Sequence, residues 1–156
     1  GPVYLRFGRP SWPIFTDPNE KFEIGKAQKM ISGTDVTIMA YGHMVWKSIE
    51  AEAILQAEGI SVEVINMHTV KPLDERAILN AVKKTGCIVT AEEHNINGGL
   101  GESVARVLGQ NEPCPQEFVA VNDSFGESGT PDQLLEKYGL STDNIVLAAK
   151  RAISRK

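Results

Sequence analysis

Residues 36–66 read "VTIMAYGHMVWKSIEAEAILQAEGISVEVIN", and this run decides the fold. Residues 36–41 are nearly all apolar, the texture of a strand buried on both faces. Gly42 ends that run. Residues 43–58 then carry Trp46, Ile49, Ala53 and Ala57 at helical spacing, and Gly59 follows as a C-terminal cap would. "VEVIN", residues 62–66, is strand again. Strand, helix and strand in this order predict a right-handed crossover and a parallel pair.

Downstream the pattern repeats. "DERAILNAVKK" is a helix that Asp74 is placed to cap, with Gly86 after it. "CIVTA" is a strand, residues 102–108 a helix and "EFVAV" a strand. Two helices close the chain. Thr130-Pro131-Asp132-Gln133 starts the first with a cap, a proline at the first helical position and a capping-box partner. Ser141 opens the second, with Ile145, Ala149, Ala152 and Ile153 on its inward side.

Upstream, "KAQKMI" reads as a strand that turns at Ser32-Gly33-Thr34-Asp35 into residues 36–41, a hairpin adding one antiparallel strand. Residues 1–27 hold Pro2, Pro10, Pro13 and Pro18, which forbid a long helix. They predict one short strand over 3–7 and an ordered linker. The chain starts with Gly, and its extended first residues have nothing upstream to pair with, which suggests a fragment. The expected fold class is α/β: a three-layer α/β/α sandwich, its mostly parallel five-stranded sheet carrying one antiparallel edge strand. Residues 28–156 form that domain and residues 1–27 precede it.

A length of 156 residues suits one domain with a proper core. Net charge is −4 and the pI about 5.4, with no basic stripe of the kind a nucleic-acid surface needs. Lys150, Arg151, Arg155 and Lys156 cluster on the last helix, where cations suit the helix dipole. Cys87 and Cys114 form no CxxC pair, which excludes a disulfide framework and a cysteine-rich zinc site and fits a reducing compartment. No apolar run approaches the ~18 residues of a membrane span, and no signal peptide is visible.

Ligands of open parallel sheets gather outside the carboxyl ends of the strands. Three segments should emerge there, "YGHMVW", "NMHTVKPLDE" and "EEHNINGGLGES", each with one of the three histidines, His43, His68 and His94. Without HxxxH, HxH or HExxH spacing they give no metal signal. His43, at a helix start, is open to a catalytic role or to a plain bond with a neighbouring carbonyl. "HTVKPLD" reads as a shaped turn, since Pro72 drives Lys71 out of helical geometry. The turn containing His94, Gly98, Gly99 and Gly101 has two readings. Free amides at a helix start attract anions, and glycine lets a phosphate approach. Glycines equally permit positive backbone angles and close packing or subunit contact. The stretch is neither GxGxxG nor GxxxxGK[ST]. Glu92 and Glu93, adjacent on a strand, should point to opposite faces, against an acid–base pair. Ser103 and Ser128 lack a nucleophile-elbow context.

Taken in order, "TIMAYG", "INMHTVKPLDERAI", "IVTAEEHNINGGLGESVA" and "FGESGTPDQLLEKYGL" resemble the C-terminal domain of transketolase. "GPVYLRFGRP" resembles the last strand of the preceding pyrimidine-binding domain and the linker out of it, so residues 1–27 are that end piece and 28–156 the C-terminal domain. Deoxyxylulose-phosphate synthase and the beta subunit of pyruvate-type dehydrogenases are the related alternatives within this resemblance. A docking or regulatory module on the same fold is the alternative of another class.

The resemblance implies transfer of a two-carbon ketol unit between sugar phosphates, in the pentose phosphate pathway. Thiamine diphosphate is held with magnesium by domains outside this chain. It implies no catalytic residue, cofactor or metal in this chain alone. The expected partners are the rest of transketolase, in cis or as a separate subunit, a second copy in a homodimer, and sugar phosphates in the full enzyme. Nucleic acid and membrane are not expected, and the location is cytoplasmic. It also implies a sugar-phosphate arginine at the end of the pyrimidine-domain strand, Arg9 the better match and Arg6 the second. Arginine's planar fork suits phosphate. The domain itself is implied to be mainly architectural.

Overall fold

The computed structural model describes residues 1–5, 8 and 11–156. Its elements are β1 (Gln28–Ile31), β2 (Val36–Ala40), α1 (His43–Ala57), β3 (Val62–Asn66), α2 (Glu75–Thr85), β4 (Ile88–Asn95), α3 (Leu100–Asn111), β5 (Gln116–Val121), α4 (Pro131–Lys137) and α5 (Thr142–Ser154). The strands form one sheet in the order β1-β3-β2-β4-β5. β3, β2, β4 and β5 run parallel, and β1 is antiparallel at one edge.

Strand alternation divides the core. Val36, Ile38, Ala40, Val62, Val64, Val89 and Ala91 pack with α1 and α5 on one face, and Leu135 of α4 joins them. Met39, Ile65 and Ile88 pack with Ile78 and Val82 of α2 and with Leu100, Val104 and Val107 of α3 on the other. Every residue of β2 and β3 is buried, as strands covered on both faces should be. The helix starts follow their caps. Asp74 accepts from the Ala77 amide at 3.1 Å, and its other oxygen accepts from the Ala27 amide at 2.9 Å. Thr130 N–H donates to Gln133 Oε1 at 3.1 Å, and Ser141 Oγ accepts from Asn144 N–H.

Three local expectations need correction. The segment before β2 does not form a hairpin with it, because β1 pairs with β3. One edge of β2 is taken by β4 and the other by β3, so an incoming strand must pass on to the free edge of β3. Gly33 makes that crossing: a Cβ there would lie 2.1 Å from the Val62 carbonyl carbon. Thr34 and Asp35 amides both donate to Ser61 O, and Asp35 Oδ2 accepts from the Ser61 amide, fastening the crossing.

α3 also begins two residues earlier and ends three later than its expected span of 102–108. Finally, residues 3–5 of the expected strand 3–7 lie outside any strand, with Val3, Tyr4 and Leu5 87%, 88% and 77% exposed. A strand needs a neighbour for its ladder, and none of the described residues supplies one there. Residues 6 and 7 fall outside the described set.

At the amino end of the sheet, Glu117 of β5 pairs with Arg151 of α5 at 3.1 Å and with Arg155. Lys156 Nζ donates to the Asp35 carbonyl at the start of β2. No helix among the described residues is long and apolar enough to cross a membrane.

Candidate functional site

The carboxyl edge of the sheet gathers all three histidines, as strand order requires. The most tightly built feature there is the turn between β4 and α3. Glu92, 1% exposed, points from β4 under the first turn of α3. Its Oε2 accepts from the Leu100 amide at 2.7 Å and its Oε1 from the Gly101 amide at 2.8 Å. The carboxylate therefore takes the place that a bound anion takes at other helix starts, with free amides and the positive end of the helix dipole around it.

The glycines follow from this geometry. A Cβ at Gly99 would sit 2.2 Å from Glu92 Oε2, and one at Gly101 would sit 2.4 Å from the Phe118 ring. Gly98 has φ +80°, a left-handed angle natural to glycine, and its amide donates to Glu102 Oε2 at 2.7 Å. Tyr41 donates its hydroxyl to Glu92 Oε2 at 3.4 Å. Burial, with the Glu92 charge adding to it, pushes the Tyr41 phenol up to about 12.

The histidines do not converge; each has its own partner. His43 Nδ1 lies 2.9 Å from Glu93 Oε2, so Glu92 and Glu93 do diverge to opposite faces. The His43 ring also stacks on Trp12 at 4.2 Å between centroids and 15° between planes. His68 Nδ1 lies 2.9 Å from Thr69 Oγ1, and its ring meets Phe22. His94, exposed, has Nδ1 2.7 Å from the Asn95 carbonyl. Among the described residues no three His, Cys, Asp or Glu side chains are grouped to hold a metal.

Ser103 Oγ donates to the Gly99 carbonyl at 2.9 Å, spending its proton on the helix. Burial pushes the Cys114 thiol up to about 11 and the Cys87 thiol upward, which suppresses their thiolates. Arg6 and Arg9 lie outside the described residues.

Sequence reasoning missed Glu92 as the ligand of α3, Tyr41 as a further donor to its carboxylate and Trp12 as the cover of His43. One signal for the first was present: an acid eight residues ahead of a helix that opens on Gly-Gly.

Residues 25–145 match the family described as "Transketolase, C-terminal domain". The chain is 46% identical over its whole length to a 6-deoxy-6-sulfo-D-fructose transketolase subunit of Clostridium sp., covering 48% of that protein. It is 35% identical, over 99% of itself, to an apulose-4-phosphate transketolase subunit of Phocaeicola vulgatus, covering 49% of that protein. Similarity extends to the 1-deoxy-D-xylulose-5-phosphate synthase of Heliobacterium modesticaldum, 35% identical over 96% of this chain but 24% of that protein. Among solved structures, one titled "Split gene transketolase, inactive beta4 tetramer" superposes with a TM-score of 0.90 at 45% identity, covering 92% of this chain and 47% of that one. The chain thus spans about half the length of the transketolase subunits it matches.

Proposed function

The chain belongs to the transketolase family as its C-terminal domain, and on that premise we propose that it is the architectural part of a ketol-transferring enzyme. In this reading residues 1–27 are the end of the pyrimidine-binding domain and its linker, and residues 28–156 the C-terminal domain. The observation that carries the reading is the Glu92 carboxylate on the α3 amides. The glycine-rich helix start that would suit a diphosphate is already filled by the chain's own anion.

Thiamine diphosphate supplies a stabilised carbanion to enzymes that hold it. The described residues do not fit it. The α3 amides are taken, and no acidic cluster for a diphosphate-bound metal is present among them. No step of the chemistry is therefore placed on these residues. Their part is to brace. Val3, Tyr4, Leu5 and Ile14 stand in solvent, apolar side chains suited to contact with the rest of a transketolase, in cis or as a separate subunit, and with a second copy of the chain. The turn of His94, Gly98, Gly99 and Gly101 is then an interface turn. Two free cysteines fit a cytoplasmic setting.

Calorimetric titration of the chain with thiamine diphosphate and magnesium should give no heat of binding, and the chain alone should transfer no ketol unit to ribose 5-phosphate. Tight cofactor binding or turnover by the chain alone would overturn the proposal. Arg9, with Arg6 second, is proposed to hold the sugar phosphate in the assembled enzyme. Arg9→Ala should then raise KM for phosphorylated sugars, since a charge-assisted hydrogen bond is worth about 1.5–3 kcal/mol. An unchanged KM rejects the assignment.

A further inference from the structure

The connection after β2 runs to α1 on one face of the sheet and the connection after β4 to α3 on the other. β2 and β4 are neighbours, so the gap between their carboxyl ends is a topological switch point, the crevice in which open α/β sheets receive ligands. His43 and Glu93 meet across this gap at 2.9 Å. The Trp12 indole lies flat on the imidazole, and Lys47 Nζ stands 5.9 Å from its ring centroid.

From there the segment follows the edge of the sheet. Phe15 meets Trp46 of α1 at 6.2 Å, Phe22 meets His68 beyond β3 at 4.5 Å, and Gly25 packs on Pro72. The chain then enters β1, whose Gln28 pairs with Asn66 at the end of β3.

We propose that residues 11–25 are a strap that closes the sheet's own ligand crevice, and that Trp12 is its latch, an internal ligand seated on the His43–Glu93 pair. The seat is built for a flat aromatic ring: imidazole below, an ammonium near the ring and apolar core beside it. Stacked and cation–π contacts of this kind hold aromatic ligands. The indole Nε1 is buried without a hydrogen-bond partner among the described residues, so stacking and apolar contact hold the ring. Phe22 on His68 is a separate anchor, and losing one should leave the other seated. The inference rests on this geometry and does not depend on the transketolase reading.

The test uses the full chain with Trp46→Phe, which leaves Trp12 as the only indole. Acrylamide should quench its fluorescence several-fold less than that of free tryptophan amide. Adding His43→Ala should remove this protection, while His43→Phe, which keeps a flat ring but loses the Glu93 bond, should retain most of it. Phe22→Ala should leave it unchanged. Quenching as fast as the free amide, or protection indifferent to His43→Ala, overturns the proposal. Independently, Trp12→Ala empties the seat, and added indole should raise the Tm of that variant and not of the parent chain. Absence of a selective rise in a folded Trp12→Ala protein also overturns it. If that variant does not fold, the quenching series decides alone.

Discussion

Glu92 and Glu63 are buried on the same face of the same sheet, at 1% and 3% exposure, yet the fold neutralises them by different means. Glu92 is met by two backbone amides of α3, groups that cannot move away without unwinding the helix. Glu63 is met by the Lys84 ammonium from α2 and by Thr37 Oγ1 at 3.2 Å, and Lys84 remains 37% exposed on a flexible stem. The first arrangement fixes a turn. The second compensates a charge that an apolar pair of similar volume would remove, as buried ion pairs often allow. Burial of a carboxylate thus says little until the rigidity of its partner is known.

The comparison can be broken in order of expected effect. Glu92→Ala should be the most damaging change, costing about 3–5 kcal/mol, since it orphans two buried amides and leaves a void beneath α3. Urea denaturation measures it, and a cost below that of Lys84→Ala would reverse the ranking. Gly99→Ala should cost about 1–3 kcal/mol by forcing a methyl onto the carboxylate. Its cost should shrink in the Glu92→Ala background, where the obstructing group is gone, and full additivity would sink this account of the glycine.

Lys84→Ala should cost about 1–2 kcal/mol, less than the usual penalty of breaking a buried pair, because removing the 37% exposed Lys84 side chain opens a path for water to Glu63. The double change Glu63→Met and Lys84→Met should come within about 1 kcal/mol of the parent protein or exceed it. A large loss in the double variant would show that the pair does more than cancel itself.

The remaining change is read at alkaline pH. Tyr41 keeps its proton in the fold up to about 12, whereas an unfolded tyrosine releases it near pH 10. Between those values the unfolded state holds fewer protons than the folded state, so stability falls as pH rises. Tyr41→Phe should flatten that part of the stability curve, and an unaltered slope would rule out burial of the Tyr41 phenol beside Glu92 as its origin.

Much of the fold was legible because its signals are local. Gly42 and Gly59 bracket α1, Asp74 and Gly86 bracket α2, and Ser141 opens α5. The apolar runs of β2 and β3 announce burial on both faces. Strand pairing was less legible. The loop at Ser32–Asp35 looks like a hairpin turn, but a turn signal cannot say which edge is already taken, and Gly33 shows its purpose only beside Val62.

The carboxyl-edge turn was half legible. Alternation separated Glu92 from Glu93, and the glycines pointed to an anion or to close packing. In the structure the Glu92 carboxylate of the chain itself lies on the Leu100 and Gly101 amides, and Gly99 and Gly101 leave room for it and for Phe118. Trp12 was out of reach, since its contact with His43 joins residues far apart in the chain with no pattern between them.

Lys156 and Arg155 are stitched to Asp35 and Glu117 at the amino end of the sheet, whereas Trp12 sits at the opposite rim. A strand of five residues separates the two by roughly 17 Å or more. A dye or a surface tether joined behind the last helix would therefore stand clear of the Trp12 rim. A chain immobilised that way would display the rim toward the solution, ready for partner-capture measurements.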